Sequence, residues 1–280
     1  MALATVAAIG CDVNSVLRRL SEARRISADL HVQFTKAADA TNRAVMADTD
    51  EASVAFAREA EQAREKVQTD AASLAPILQS LGYSEEARLL DEFGVRFAEY
   101  RALDQTILEL AVLNTNLKAQ RLSFGPAQEA ADAFRDALEG VSPQDPTRDA
   151  WRVKAFVATA VAAVRDIQVL HAPHIADADD AVMTRMEKRM ESAEAAARNA
   201  LIVLAPLAQP ASRSRLATAA AALDRFMSVN AQILAMSRRN TNVRSLALSL
   251  NQKVKLTARC EESLRALQEA LAKRGFTGIR

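Results

Sequence analysis

Aromatic residues make up only 4% of this 280-residue chain, and glycine and proline occur seven times each. So thin an aromatic set offers no row of stacking platforms for bases or sugars. The shortage of Gly and Pro leaves too little turn chemistry for a many-stranded sheet. There are two cysteines, Cys11 and Cys260, which excludes a disulfide framework and a thiol-rich zinc spacing. No stretch approaches the roughly 18 to 20 apolar residues that cross a bilayer, and no glycine-rich phosphate loop or nucleophile elbow occurs. Carboxylate pairs such as Glu85-Glu86 and Glu261-Glu262 sit at a helix start or on a polar face, so the chain is not expected to be an enzyme and no cofactor is expected.

Alanine, leucine, arginine and glutamate dominate what remains, and these are helix formers. The expected fold is all-α. The tripeptide Asn114-Thr115-Asn116 recurs as Asn240-Thr241-Asn242, and its surroundings repeat at an offset of 126: Ile107-Leu108 meets Ile233-Leu234, and Leu122-Ser123 meets Leu248-Ser249. Leu90, Phe93, Phe97, Tyr100, Leu103, Ile107 and Leu110 share their three-four spacing with Leu216, Ala219, Leu223, Phe226, Val229, Ile233 and Met236, which is one face of a helix. Upstream, Leu74-Ala75-Pro76 answers Leu204-Ala205-Pro206 at an offset of 130. Half the chain is a duplicate of the other half.

Apolar spacing begins near Val13 and runs through Val45, and Asp48-Thr49-Asp50 supplies an N-cap for a second helix ending near Leu81-Gly82. A third helix runs from Ser84 to Asn114, and a fourth follows from Thr115 or Asn116, disturbed at Gly125-Pro126. The second half repeats the plan, with a turn through Pro173, a linker holding Pro206 and Pro210, and helices on either side of Asn240-Thr241-Asn242. Cys260 falls on the series Leu246, Leu250, Val254, Thr257, Leu264, Leu267 and Leu271 and reads as a buried thiol. Short connections predict two consecutive up-down-up-down four-helix bundles, at 13–142 and 148–275, joined by a linker at 143–147. Residues 1–12 read as an N-terminal remnant or tail, and 276–280 as a C-terminal tail.

Charge is uneven although the net is only +1. Through Ser142 the balance is −7 and beyond it +8, and from Leu207 to Arg280 thirteen basic residues face four acidic ones. A small anion, an anionic membrane surface or nucleic acid would each suit such basic helices, and so would a solvated face.

Asp48-Thr49-Asp50-Glu51 between the first helices, Phe97 and Tyr100 on the third, the break at Leu113-Asn114-Thr115-Asn116, and Ala119-Gln120-Arg121-Leu122-Ser123-Phe124-Gly125 after it form a pattern. It resembles the four-helix-bundle sensor domains of bacterial chemoreceptors, the methyl-accepting chemotaxis proteins, and of related sensor histidine kinases, here in tandem. The resemblance implies a ligand-sensing region at the periplasmic face of the inner membrane, a homodimer, and a helix shift as output. This chain departs from the pattern in having no membrane spans and no methylation or kinase segment. Either those parts were removed or the protein is a free-standing relative.

The first-to-second and third-to-fourth turns are each reached after an odd number of helix lengths, so His171, His174 and Arg244 are expected at one pole. There Arg238, Arg239, Asn240, Asn242 and Arg244 bracket a helix start whose N–H groups and dipole suit a carboxylate. The equivalent pole of the first half has Asn42, Arg43, Asn114, Asn116, Lys118 and Arg121, with Val112 and Leu113 in place of the two arginines. His171 and His174, with Asp177, Asp179 and Asp180 beyond, have metal-ligand residue types, but Pro173 interrupts their spacing and no metal is expected. A small anionic ligand is the expected partner, and nucleic acid is not expected. The alternative is a helical scaffold or protein-interaction bundle without a small ligand.

Overall fold

The computed structural model describes residues 4–141 and 149–274, with side chains from Asn14 onward, and among them there is no strand. The helices are α1 (Ala4–Met46), α2 (Asp50–Ser80), α3 (Ser84–Leu113), α4 (Thr115–Leu122), α5 (Gln128–Glu139), α6 (Ala150–Ala176), α7 (Asp180–Leu207), α8 (Arg213–Arg239), α9 (Thr241–Leu248) and α10 (Val254–Lys273). Two π-helical turns, Ser123–Ala127 and Ser249–Lys253, join α4 to α5 and α9 to α10. The expected linker at 143–147 and the C-terminal tail at 276–280 lie outside the described residues. Of the expected N-terminal tail, Ala4 onward is the start of α1.

Local chemistry explains the helix ends. Thr49 Oγ1 accepts from Ala52 N–H at the start of α2, and Asp50 and Glu51 follow in its first turn, where the dipole favours acids. At its end Gly82 takes φ 69°, and Tyr83 N–H reaches Leu78 O while Gly82 N–H reaches Gln79 O. Only a residue without Cβ closes this double-bonded C-cap without strain. Pro173 and Pro206 were expected in a turn and a linker, but α6 continues through Pro173 to Ala176 and α7 through Pro206 to Leu207. Each proline leaves one upstream carbonyl without its helical N–H, that of Val169 or Ile202, and both of these residues are exposed.

The duplication is visible in where the elements stop. The first and sixth helices end at Met46 and Ala176, and the second and seventh begin at Asp50 and Asp180, an offset of 130 in each case. The third and eighth end at Leu113 and Arg239, and the π turns span 123–127 and 249–253, an offset of 126. Because the second π turn contains no proline, Pro126 is not what makes this feature. Each π turn holds an extra residue and rotates the following face by about 100°. The apolar series expected to face inward is displaced accordingly: Leu246, Leu250 and Val254 are exposed, whereas Ser245, Ser249, Lys253, Cys260 and Leu264 are buried.

The two compact units are not consecutive along the chain. The chain divides into a unit of Met1–Leu113 with Ser245–Arg280, and a second unit of Asn114–Arg244. In the first, α10 packs against α1 and α3, and Cys260, Leu264, Leu267 and Leu271 share a core with Leu30, Phe34, Leu74, Leu78, Phe93 and Tyr100. In the second, α5 packs against α6 and α8, and Phe134 and Leu138 join Ile167, Met183, Leu204, Phe226 and Ile233. The fourth helix of each repeat therefore completes the core of the other repeat's first three.

Charge gives a reason. Residues 1–113 hold 12 basic and 18 acidic side chains, and residues 245–280 hold 7 and 3, so the acidic three-helix set receives the basic terminal helix. Net charges become −2 and +3 for the two units, where consecutive bundles would have carried −7 and +8, and self-repulsion is relieved. Tyr100 and Phe226, equivalent by the repeat, are both fully buried. Leu264→Ala should cost about 2–5 kcal/mol, and hydrogen exchange should find protection lost in α1–α3 rather than in α6–α8. Loosening confined to α6–α8 would be the signature of consecutive bundles.

Candidate functional site

Asn114 and Asn240 each adopt left-handed backbone, with φ 49° and 52°, which Asn tolerates better than other side chains. Each breaks a long helix, and the α4 and α9 starts that follow cap one another. Thr115 N–H donates to Thr241 Oγ1 at 3.1 Å and Thr241 N–H to Thr115 Oγ1 at 3.2 Å. Asn116 N–H donates to Asn242 Oδ1 at 3.1 Å, and Asn242 N–H to Asn116 Oδ1 at 3.2 Å. Asn116 Nδ2 reaches Asn240 Oδ1, and Asn242 Nδ2 reaches Asn114 Oδ1. Equivalent residues of the two repeats thus bond reciprocally, and the side chains of one copy satisfy the orphan N–H groups of the other.

This capping changes the expected anion pole. The N–H groups of Thr241 and Asn242 are occupied, so the helix start presents fewer donors than its sequence implies. Arg238 grips Glu187 with Nε and Nη2, each at 2.7 Å, and places Nη1 3.1 Å from Asp180. These bonds hold the Glu187 carboxyl below its ordinary pKa, the Arg238 hydrogen bond being the largest cause. Arg239 and Arg244 are exposed. Asn42 and Arg43 belong to the first unit, whereas Asn114, Asn116, Lys118 and Arg121 belong to the second. Arg43 pairs with Glu59 at 2.8 Å and Asp39 at 3.0 Å, with its guanidinium over Phe56.

His171 and His174 are in the second unit as expected, but both are buried. His171 Nε2 lies 2.9 Å from Asn230 Oδ1, Nδ1 lies 3.0 Å from Ser123 Oγ, and the ring stacks on Phe226. Burial, and secondarily the nearby His174, lowers its pKa below the usual imidazole value. His174 Nδ1 lies 2.8 Å from Ser237 Oγ and Nε2 3.0 Å from Glu187 Oε1. No group of three metal-ligating His, Cys, Asp or Glu exists among the described residues.

The same level of the first unit holds a different set. Lys253 Nζ, almost wholly buried, donates to Ala38 O at 2.8 Å and Asn42 Oδ1 at 2.9 Å, and lies 3.6 Å from Asp104 Oδ1. Tyr100 Oη donates to Asp104 Oδ1 at 3.1 Å, and Arg64 Nη1 stands 3.2 Å from Asp104 Oδ2. Side chains from α1, α2, α3 and the second π turn meet here. Burial pushes the Lys253 ammonium down to about 8, against the attraction of Asp104. Burial likewise raises the Asp104 carboxyl, against Lys253 and Arg64. Ser249 Oγ donates to Asn42 Oδ1 at 3.3 Å, and a solvent-open cleft of about 230 Å³ adjoins, lined by Asn42, Ser249, Lys253, Thr257 and Glu261 among others.

The repeat makes these two clusters counterparts. Asp104 corresponds to Asn230, Tyr100 to Phe226, Ser249 to Ser123 and Lys253 to Ala127 at offset 126, and Thr41 to His171 at offset 130. Each cluster sits beside a π turn, a feature that recurs at functional sites. A polar Asp104 on an otherwise apolar face was the available signal, but Lys253 was hidden by the face rotation. No protein-family model matches the chain, and no curated protein matches it. Among the described residues no helix is long and apolar enough to cross a membrane.

Lys253→Met should destabilise by up to about 3–5 kcal/mol in urea unfolding, because the buried Asp104 keeps Arg64 as its one remaining cation. Lys253 also sets a pH window. Its folded value of about 8 lies below the ordinary 10.5, so the unfolded chain binds more protons between them and stability rises with pH across that span. Lys253→Met should flatten the rise. At His171 the folded value is also lowered from 6.5, so stability should fall as pH drops below about 6.5, and His171→Gln should remove that slope.

Proposed function

We propose that this chain is the ligand-sensing region of a bacterial signal transducer, built as two up-down-up-down four-helix bundles that arose by internal duplication and exchanged their fourth helices. The observation that supports it best is the divergence of one duplicated polar level. Where the second unit has the neutral Ser123, His171 and Asn230, the first has Lys253, Asp104 and Arg64 behind an open cleft. Two copies of a purely structural core would be served by one solution, and a buried ion network is a costly one. A small carboxylate in the cleft would find the Lys253 charge at its back and the side chains of Asn42, Ser249 and Thr257 around it. Contact with Asn42 and Ser249 bears on α1 and the π turn together, so a ligand that prefers one arrangement of these helices shifts their population.

In this reading the anion class expected from the sequence is retained while the preferred place moves to the first unit. Signalling as part of a homodimeric, membrane-anchored receptor at the periplasmic face belongs to the same proposal. A panel of organic acids should include at least one that raises the melting temperature, since a ligand of the native state alone adds to its stability. Calorimetry should then find its binding weakened about 2- to 13-fold by Ser249→Ala or Thr257→Val, the loss of one net hydrogen bond. Weakening by Arg244→Ala instead would return the site to the Asn240 pole. No stabilising ligand would leave the scaffold reading in place and sink this one.

A further inference from the structure

Ser237 on α8 has one hydroxyl proton and two acceptors. Its Oγ lies 2.7 Å from the carbonyl oxygen of His174 and 2.8 Å from His174 Nδ1. The carbonyl is one of the orphan acceptors in the last turn of α6, which ends at Ala176. We propose that the proton on His174 decides which acceptor Ser237 serves, making a proton-controlled tie between the end of α6 and α8.

When the ring is an imidazolium, Nδ1–H donates to Ser237 Oγ, Nε2–H donates to Glu187 Oε1, and the hydroxyl proton caps the His174 carbonyl. Every polar atom is then satisfied. When the ring is neutral, Nε2–H still donates to the Glu187 carboxylate, Nδ1 becomes an acceptor and draws the hydroxyl proton, and the buried carbonyl loses its partner. Leaving a buried acceptor unmade is the costly half of hydrogen bonding. One proton on a side chain thus alters a main-chain bond between two helices.

The charged groups around the ring are few. Glu187 of α7 faces it, with Arg238 of α8 bonded to that carboxylate and to Asp180, and α6 itself contributes His171 one turn away. The start of α4 contributes the uncharged amide of Asn116, on Ile175 O.

The test is nuclear magnetic resonance on the full chain, labelled with 13C at the histidine carbonyl and 15N in the rings. Three histidines give three sets of signals, which His31→Gln and His171→Gln assign. The His174 carbonyl shift should titrate with the same midpoint as its own ring, and in Ser237→Ala its response should be at least about threefold smaller. Glu187→Gln should move the ring midpoint, and the carbonyl midpoint should move with it. A ring that does not titrate while the protein is folded, or a carbonyl that does not follow it, overturns the proposal. An undiminished carbonyl response in Ser237→Ala overturns it too, as does a ring midpoint unmoved by Glu187→Gln.

Discussion

Asp104 and Lys253 lie 149 positions apart in sequence and meet with their side chains almost fully buried. Their pairing depends on the terminal helix lying among α1, α2 and α3. Had that helix packed with α6–α8 instead, Lys253 would have faced Asn230 and Asp104 would have faced Ala127, its counterparts by the repeat. Lys253 would then have been a buried charge without a carboxylate, and Asp104 would have kept Arg64 alone, a destabilising arrangement for a core. Hydrophobic packing alone would discriminate weakly, because Phe134 and Leu138 correspond to Cys260 and Leu264 and all four suit an apolar core. The ion pair adds specificity to the packing of the terminal helix with α1–α3, and the surface charge balance works in the same direction.

The reciprocal caps at the two Asn-Thr-Asn segments express the same history in main-chain terms. A residue of one copy bonding to its equivalent in the other, each donating and each accepting, is the pattern of an isologous contact. Here it occurs within one chain, because the two copies are covalently joined. Left-handed Asn114 and Asn240 terminate α3 and α8, and Thr115, Asn116, Thr241 and Asn242 restart the next helices with borrowed oxygens. These bonds hold the second unit together at the points where the chain enters and leaves it.

The two polar levels differ although the repeat pairs their residues. Both retain a serine in the π turn and a polar residue on the third helix of the repeat, yet one is charged and the other turns on neutral imidazole and amide groups. The difference in protonation behaviour follows from burial. Lys253 and His171 are both held away from the charged form, but Lys253 has Asp104 to pull against that cost and His171 has no anion.

Periodicity by itself determined that the chain is helical, that it is duplicated, and that Tyr100, Phe226 and Cys260 point inward. Each is a local property: a three-four spacing repeated over many turns identifies a helix and its buried side without reference to any partner. The inward face before α10 was not legible, because a single inserted residue in the π turn offsets the face before it from the face after it. The anion pole was legible as a set of residues and not as a site, since whether the Thr241 and Asn242 N–H groups are free depends on oxygens 126 positions away. Which three helices each fourth helix completes was decided only in the tertiary structure. Four apolar faces of equivalent spacing fit either partner, and the choice rests on a buried charge pair whose members are near one another only after the chain has folded.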